Sequence, residues 1–537
     1  MTARVSGRRI AWSFVLLATA ALVYRALLSE RQMVDDLFIY LRYARALAET
    51  GEIAFSPGDR VEGASSVAWT IALAIAWKLG LRGVAAAKLL SLVAMAALPA
   101  TCAIAVRRAL PERPLAMAVP ALAIAIDADV AVWGASGMDT AAWALACVAC
   151  VAIAARPGSE RAAALALGFL AWVRPEGPLL TALGAIAIAA MTARAGRKRA
   201  AIELVALAAA PVVVLTLGRL AYFHDVVPNT FFAKMRAVDG RDYTGAAYLA
   251  SEIARRPLLV VGGAIGALLA IRARQPVTAA LLVGALLFAV AAGGDWMPNR
   301  RLLVPVLPLA AIGAAIGVAY ALRARSDRSV STAAVAIGAA LAVEASISTT
   351  RALDQRWRTR EYLDRRLESA RIVGRPLRDP YPLDWMPTHL LRQIAPYVAP
   401  GDTVAHVDVG ELPYVMRDVR FLDGFGLVDR EAGRLTFFPR DESRRAAARD
   451  SFFAKDPSIA IVVLDETTGR AFSPAQDAAI GDPRFAARWR ELARVPSWGD
   501  HPCVTFVRRD REPAPPEIAA ARVREWLAAV PDVAAAF

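Results

Sequence analysis

The sequence predicts a polytopic α-helical membrane protein of about eleven spans, followed by a C-terminal α/β domain that stands outside the membrane. Three observations predict it. Apolar runs of membrane length recur through the first 350 residues, basic residues gather in the short loops between them, and the composition turns charged and aromatic near residue 350.

The apolar runs cover 10–28, 66–80, 84–106, 115–133, 139–155, 162–173, 177–192, 200–222, 258–271, 276–292, 302–322 and 329–347. The stretch from Ala200 to Leu217 contains a single acid, Glu203, and runs of about 17–25 mostly apolar residues are the mark of spanning helices. Residues 66–80 would reach only roughly 22 Å as a helix, short of a hydrocarbon core of about 30 Å. Taken as re-entrant or interfacial, that segment lets the basic loops fall on one side. They are Arg4/Arg8/Arg9, Arg107/Arg108/Arg113, Arg156/Arg161, Arg194/Arg197/Lys198/Arg199, Arg272/Arg274 and Arg323/Arg325/Arg328. Positive loops mark the cytoplasmic side, so the expected location is the cytoplasmic (inner) membrane, with the N-terminus inside and the C-terminus outside. Arg4, Arg8 and Arg9 precede an apolar stretch, Ile10 to Leu28, that is longer than an ordinary signal peptide and reads as an uncleaved first helix.

The net charge of +14 fits this topology and anionic lipid, and its scatter over short loops argues against a nucleic-acid partner. Cys102, Cys147, Cys150 and Cys503 form neither a disulfide framework nor a metal-ligand spacing. Past residue 350, Val404–Val409 and Ile459–Leu464 read as buried strands and Glu517–Ala529 as a helix. The division expected is therefore a transmembrane module over 1–349 and a soluble α/β domain over 350–537.

The orientation places five polar loops on the outer face. Asp35 and Asp36 follow the first span, where two adjacent carboxylates repel each other and are partly desolvated, so one is pushed toward a useful basicity; a solvated helix start is the plainer alternative. Asp139 ends the segment that begins at Trp133, and it either orients a substrate or starts a helix. Arg174 and Glu176 lie between two apolar runs, where they pair internally or Arg174 takes a phosphate. The segment Tyr222–Lys234 combines His224, Asn229, Lys234 and several aromatics, and Asp295 is followed by Arg300 and Arg301. Two arginines outside run against the positive-inside trend, and guanidinium forks suit phosphate oxygens.

In order, Asp35-Asp36, Tyr40-x-Arg42-Tyr43-Ala44, Pro57-Gly58-x-Arg60-Val61-Glu62-Gly63, Arg174-Pro-Glu-Gly177, Pro228-Asn-Thr230 with Lys234, and Gly294-Asp-Trp-Met-Pro298 resemble the GT-C superfamily of membrane glycosyltransferases. Within it they are similar to the branch holding the mycobacterial terminal arabinofuranosyltransferase. The resemblance covers about residues 30–350. It is loose in the C-terminal domain, through Gly410-x-x-Pro-Tyr414 and Asp423–Leu427, and the chain departs from the commonest pattern at Ala64-Ser-Ser-Val and Asn299-Arg300-Arg301.

The resemblance implies an inverting glycosyltransferase. It would move a sugar, arabinofuranose first, from a polyprenyl-phosphate donor to a cell-envelope glycan or glycolipid at the outer face of the membrane. It implies Asp36, or Asp35 behind it, as base; Arg174, Lys234, Arg300 and Arg301 as ligands of the donor phosphate; and Arg42, Arg60, Glu62, Asp139, Glu176, Asn229 and Asp295 as the substrate pocket. Relatives of this kind often need no metal, although adjacent acids can hold Mg²⁺ or Ca²⁺. The alternatives are the same reaction with a hexose or aminoarabinose donor, a lipid-glycan transporter or flippase, or an inactive glycan-binding relative. A transporter should carry charges within its helices, whereas here they sit mostly in loops.

Overall fold

The computed structural model describes residues 2–29, 34–234, 245–295, 297–325, 327–358, 385–465, 468–496 and 502–531. The membrane module is built from helices α1 (Thr2–Leu27), α2 (Asp36–Thr50), α3 (Val67–Lys78), α4 (Gly83–Ala109), α5 (Ala118–Ala125), α6 (Ala128–Ala135), α7 (Thr140–Ala154), α8 (Glu160–Val173), α9 (Gly177–Arg194) and α10 (Lys198–Phe223). It continues with α11 (Asn229–Lys234), α12 (Gly245–Arg255), α13 (Gly263–Arg272), α14 (Pro276–Ala291), α15 (Val306–Ala321) and α16 (Asp327–Arg358). Small residues let these helices close up. A Cβ on Gly266 would meet the Gly313 carbonyl oxygen at 2.4 Å, so α13 and α15 touch backbone to backbone.

Among the described residues six helices are long and apolar enough to cross a membrane, or eight if each of two bent pairs counts as one span. This is fewer than the eleven expected. The apolar helices α7 and α14 fall short of membrane length, as does α3, for which the sequence already implied it. The run 115–133 is also not one straight helix, because it bends by 70° between α5 and α6. Asp127 sits at that break and caps α6, accepting from Asp129 N (2.9 Å) and Val130 N (3.0 Å). The second bend, 101°, separates α12 from the segment Leu258–Arg272. There the Glu344 carboxylate of α16 accepts from Leu258 N (2.7 Å) and Leu259 N (2.8 Å), filling two donors that the break leaves open. Helix α16 runs past the boundary drawn at 349/350, and residues 359–384 lie outside the described residues.

The C-terminal domain is a five-stranded sheet in the order β2-β1-β3-β5-β4, with helices on its faces. The strands are β1 (Thr403–His406), β2 (Arg420–Asp423), β3 (Ile459–Val463), β4 (Trp489–Pro496) and β5 (Pro502–Arg508). Strand β1 pairs in parallel with β2 and β3, whereas β5 is antiparallel to β3 and β4. The two strands expected from sequence are β1 and β3, and the expected last helix is Pro516–Ala528.

This domain docks on one end of the bundle through buried polar contacts. Arg42 of α2 donates to the carbonyls of Phe55 (2.6 Å), Val419 (2.9 Å) and Pro413. Asn229 Nδ2 reaches the carbonyls of Gly426 (2.6 Å) and Asp429 (3.0 Å). The loop it holds is shaped by Asp423, which accepts from Phe425 N (2.8 Å) and Val428 N (2.9 Å). Gly63 faces the same loop, and a Cβ there would lie 2.3 Å from Val428 Cγ1 and 2.9 Å from the Leu427 carbonyl oxygen. Gly63→Ala is therefore expected to cost about 1–3 kcal/mol by overpacking and to loosen the docking. Thermal unfolding and limited proteolysis in detergent check this, and an unchanged melting temperature with unchanged cleavage would show that the interface gives way freely.

Candidate active site at the docked end of the bundle

The segments singled out in the sequence meet at the docked end. Helix α2 starts at Asp36, α6 leads to Asp139, the turn after α8 carries Arg174 and Glu176, α11 ends on Lys234, and the turn Pro298–Leu303 carries Arg300 and Arg301. Asp36 Oδ2 lies 3.2 Å from Lys234 Nζ and 3.6 Å from Arg301 Nη1. Arg301 Nε also donates to Asp295 Oδ2 at 2.9 Å, and its guanidinium sits 5.8 Å from the Trp133 ring centroid. Beside them Arg174 is held by two acids, Asp139 (3.0 Å) and Glu176 (2.6 Å). The Tyr40 hydroxyl donates to Asp139 Oδ2 at 3.2 Å and bonds Ser65 Oγ at 2.8 Å.

The two adjacent aspartates have opposite electrostatics. Asp35 turns to the C-terminal domain, where its Oδ1 accepts from Glu411 N at 2.8 Å. Burial first, and the neighbouring Asp408 second, push its pKa well above the usual carboxylate range. Of the two causes expected, desolvation therefore leads, and mutual repulsion with Asp36 is only a lesser contribution. For Asp36 burial pulls upward too, but Lys234 and Arg301 outweigh it and hold the carboxyl below its ordinary value. Asp35 is thus biased toward its neutral form at the domain interface and Asp36 toward its ionised form between two cations. Each carboxyl already has a protein partner, Asp35 the Glu411 N–H and Asp36 the Lys234 and Arg301 cations, whereas Mg²⁺ or Ca²⁺ takes several oxygens around one centre. Arg174 has a pKa above its ordinary value: burial lowers it, but Asp139 and Glu176 overcome that effect. Both carboxylates that face it already occupy its fork.

Several expected site residues do other work. Arg42 and Asn229 bind backbone carbonyls of the C-terminal domain, as described above. Glu62 forms a two-pronged pair with Arg219 of α10 (2.8 and 2.9 Å), and Arg60 stacks 4.9 Å from the Tyr222 ring centroid. Arg300 turns away from Asp36. Its Nε lies 3.1 Å from Glu252, and its Nη1 donates to Ser251 Oγ at 2.5 Å and to the Tyr248 carbonyl at 3.2 Å. The backbone explains the divergence, because Asn299 and Arg300 both hold positive φ (57° and 46°), so consecutive side chains leave in different directions.

Glu252 leads into a cluster that the sequence reading missed. Arg256 pairs with Asp127 (2.7 Å), Asp129 (3.0 Å) and Glu252, and Arg255 reaches Asp129 at 3.2 Å. These buried charges lie at the two helix breaks, which corrects the expectation that ionisable groups sit mostly in loops. The signal was present: Asp127 and Asp129 interrupt an apolar run, as does Arg219, and such residues mark polar function or pairing in a membrane.

The linkage of Asp35 to stability is testable. Because its folded pKa is raised, the stabilising form is the neutral acid; that contribution is complete below the ordinary value of 3.8 and is lost as pH rises through the folded value. Asp35→Asn keeps a neutral group of the same shape, so it should remove this part of the pH dependence and melt higher than wild type at alkaline pH. Melting curves of both proteins from acid to alkaline pH check it, and parallel curves would show that Asp35 keeps the pKa it has in the unfolded chain.

Residues 384–512 match a family described as a domain of unknown function (DUF8728). No curated protein matches the chain by sequence. Among solved structures, that of ArnT from Cupriavidus metallidurans in the apo state is similar, at 15% identity, with 92% of this chain and 98% of that chain covered and a TM-score of 0.50. The structure of the same protein bound to undecaprenyl phosphate is similar at 14% identity, with 92% and 97% covered and a TM-score of 0.48. The likeness to the apo structure is one of fold: a bundle with helices long and apolar enough to cross a membrane, followed by a C-terminal domain.

Proposed function

We propose that this chain is a membrane glycosyltransferase that transfers a sugar, arabinofuranose as first choice, from a polyprenyl-phosphate donor to a cell-envelope glycan or glycolipid, at the outer face of the cytoplasmic membrane. The observation that carries the reading is the ionised Asp36 held between Lys234 and Arg301 at the docked end of a GT-C-like bundle. An acceptor hydroxyl gives its proton to Asp36 as its oxygen attacks the anomeric carbon. The bond from that carbon to the phosphate oxygen breaks on the opposite face, so configuration inverts. The leaving polyprenyl phosphate keeps the electron pair, and Lys234 and Arg301 stabilise its charge.

The same two cations explain how Asp36 becomes basic enough. While they pair with Asp36 its pKa is low. A donor phosphate competes for both and releases the carboxylate, so the base strengthens when substrate is present. The two cations supply the positive charge that a metal supplies elsewhere, so the reaction needs no divalent ion on this reading. Asp139 and Glu176 hold Arg174 at the pocket wall, and Asp295 aims Arg301.

The second reading, a lipid-glycan transporter, is favoured by the buried cluster around Arg256 at the two helix breaks. Transfer of labelled sugar in native membranes from a panel of polyprenyl-phosphate pentose, hexose and aminoarabinose donors separates the readings. Wild type should consume one donor, with or without EDTA. Asp36→Asn should lose about 10²–10⁴-fold in rate, Lys234→Ala or Arg301→Ala about 10²–10³-fold, and Asp35→Asn little. Consumption of no donor with native acceptor present favours transport, and equal loss in Asp35→Asn and Asp36→Asn removes the assignment of the base.

A further inference from the structure

Beside the site, on the outer surface of the docked end, lies an aromatic group that the transfer reaction does not use. The rings of Phe231 and Phe232 on α11 meet edge to face at 5.6 Å, and each lies 5.9 Å from Phe437. Phe437 meets Phe438 at 4.6 Å. Phe438 is 43% exposed and Phe231 37%. Two guanidiniums flank the rings, Arg434 at 6.0 Å from Phe232 and Arg444 at 4.8 Å from Phe438.

The height of this group relative to the bilayer follows from α10. With 26 residues that helix is about 39 Å long, longer than a hydrocarbon core of roughly 30 Å, so its last turns reach the headgroup layer. Its outward residues Val213, Val214, Leu217 and Leu220 are exposed, which in a membrane span means they face lipid. The helix Arg430–Phe437 of the C-terminal domain is fastened to that end. Arg430 donates to the Phe223 carbonyl and lies 3.3 Å from Asp225, and Arg434 reaches the same carboxylate at 3.0 Å. Past the end of α10, Val226, Phe231 and Phe438 are likewise exposed. Aromatic rings with arginines beside them, at that depth, have the composition of interfacial anchors.

We propose that Phe231, Phe437 and Phe438 form a membrane anchor of the C-terminal domain, with their rings in the headgroup layer of the phospholipid bilayer and Arg434 and Arg444 at the level of the lipid phosphates. The anchor depends on α10 crossing the membrane and not on the transfer reaction, so the two stand or fall separately. The native cysteines are all buried, so a spin label can be directed to Phe438→Cys in the full chain reconstituted into phosphatidylcholine vesicles, with Asp510→Cys, an exposed site past the end of β5, as the aqueous control. At 438 collisions with dissolved oxygen should exceed those with a water-soluble nickel complex, and at 510 the order should reverse. A label at 438 that meets the nickel complex as often as the label at 510 overturns the anchor. An immobile label that meets neither reagent also overturns it, because the rings are then covered by protein and not by lipid.

Discussion

The constraint on which the structure depends is that charge buried in a helix bundle must be matched where it stands. Removing one partner of a buried ion pair costs about 3–5 kcal/mol, because the other is left uncompensated. At the docked end nearly every ionised side chain has a partner on another segment: Asp36 with Lys234 and Arg301, Arg301 with Asp295, Arg174 with Asp139, Glu62 with Arg219. All but the local Arg301–Asp295 pair join separate segments of the chain, so the electrostatics that prepare the site also hold the bundle's end together. The exception in character is the Asp36 group, whose cations are shared with a carboxylate that an incoming anion can displace.

The C-terminal domain belongs to the same system. Its loops accept hydrogen bonds from Arg42 and Asn229, and its Glu411 backbone N–H reaches Asp35, the immediate neighbour of Asp36. A cradle of this kind is specific in orientation, since carbonyls and N–H groups are satisfied only at one docking angle. Its geometry gives the domain a structural reason to be present beside the reacting groups, apart from any contact with an acceptor.

Much of this could be seen in the sequence because it depends on local chemistry. Asp36, Lys234, Arg174 and Arg301 all stood out as charges in loops flanking apolar runs, and the helical bundle followed from run length alone. What could not be seen was the division of labour. Which of Asp35 and Asp36 is pushed toward its neutral form depends on burial and on Asp408, more than 370 positions away, and whether Arg300 or Arg301 faces Asp36 depends on two left-handed backbone conformations. The resemblance puts Arg42 and Asn229 in the pocket, and the fold has both donate to backbone carbonyls of the C-terminal domain, partners that a sequence does not display. The broken helices were missed for a different reason: a mean over an apolar run dilutes the two acids that interrupt it.

Those broken helices bear on how the protein is made. Asp129 leaves the ribosome 126 residues before Arg255, its partner, and Arg256 follows one residue later still. An acid at the centre of a spanning helix costs about 2.5–3.5 kcal/mol during insertion, and α5 and α6, with 8 residues each, have little apolar length to offset it. Arg25 of α1, made earlier, already lies near both acids, and α12 completes the balance with Arg255 and Arg256, so synthesis order and final packing are coupled through a handful of charges.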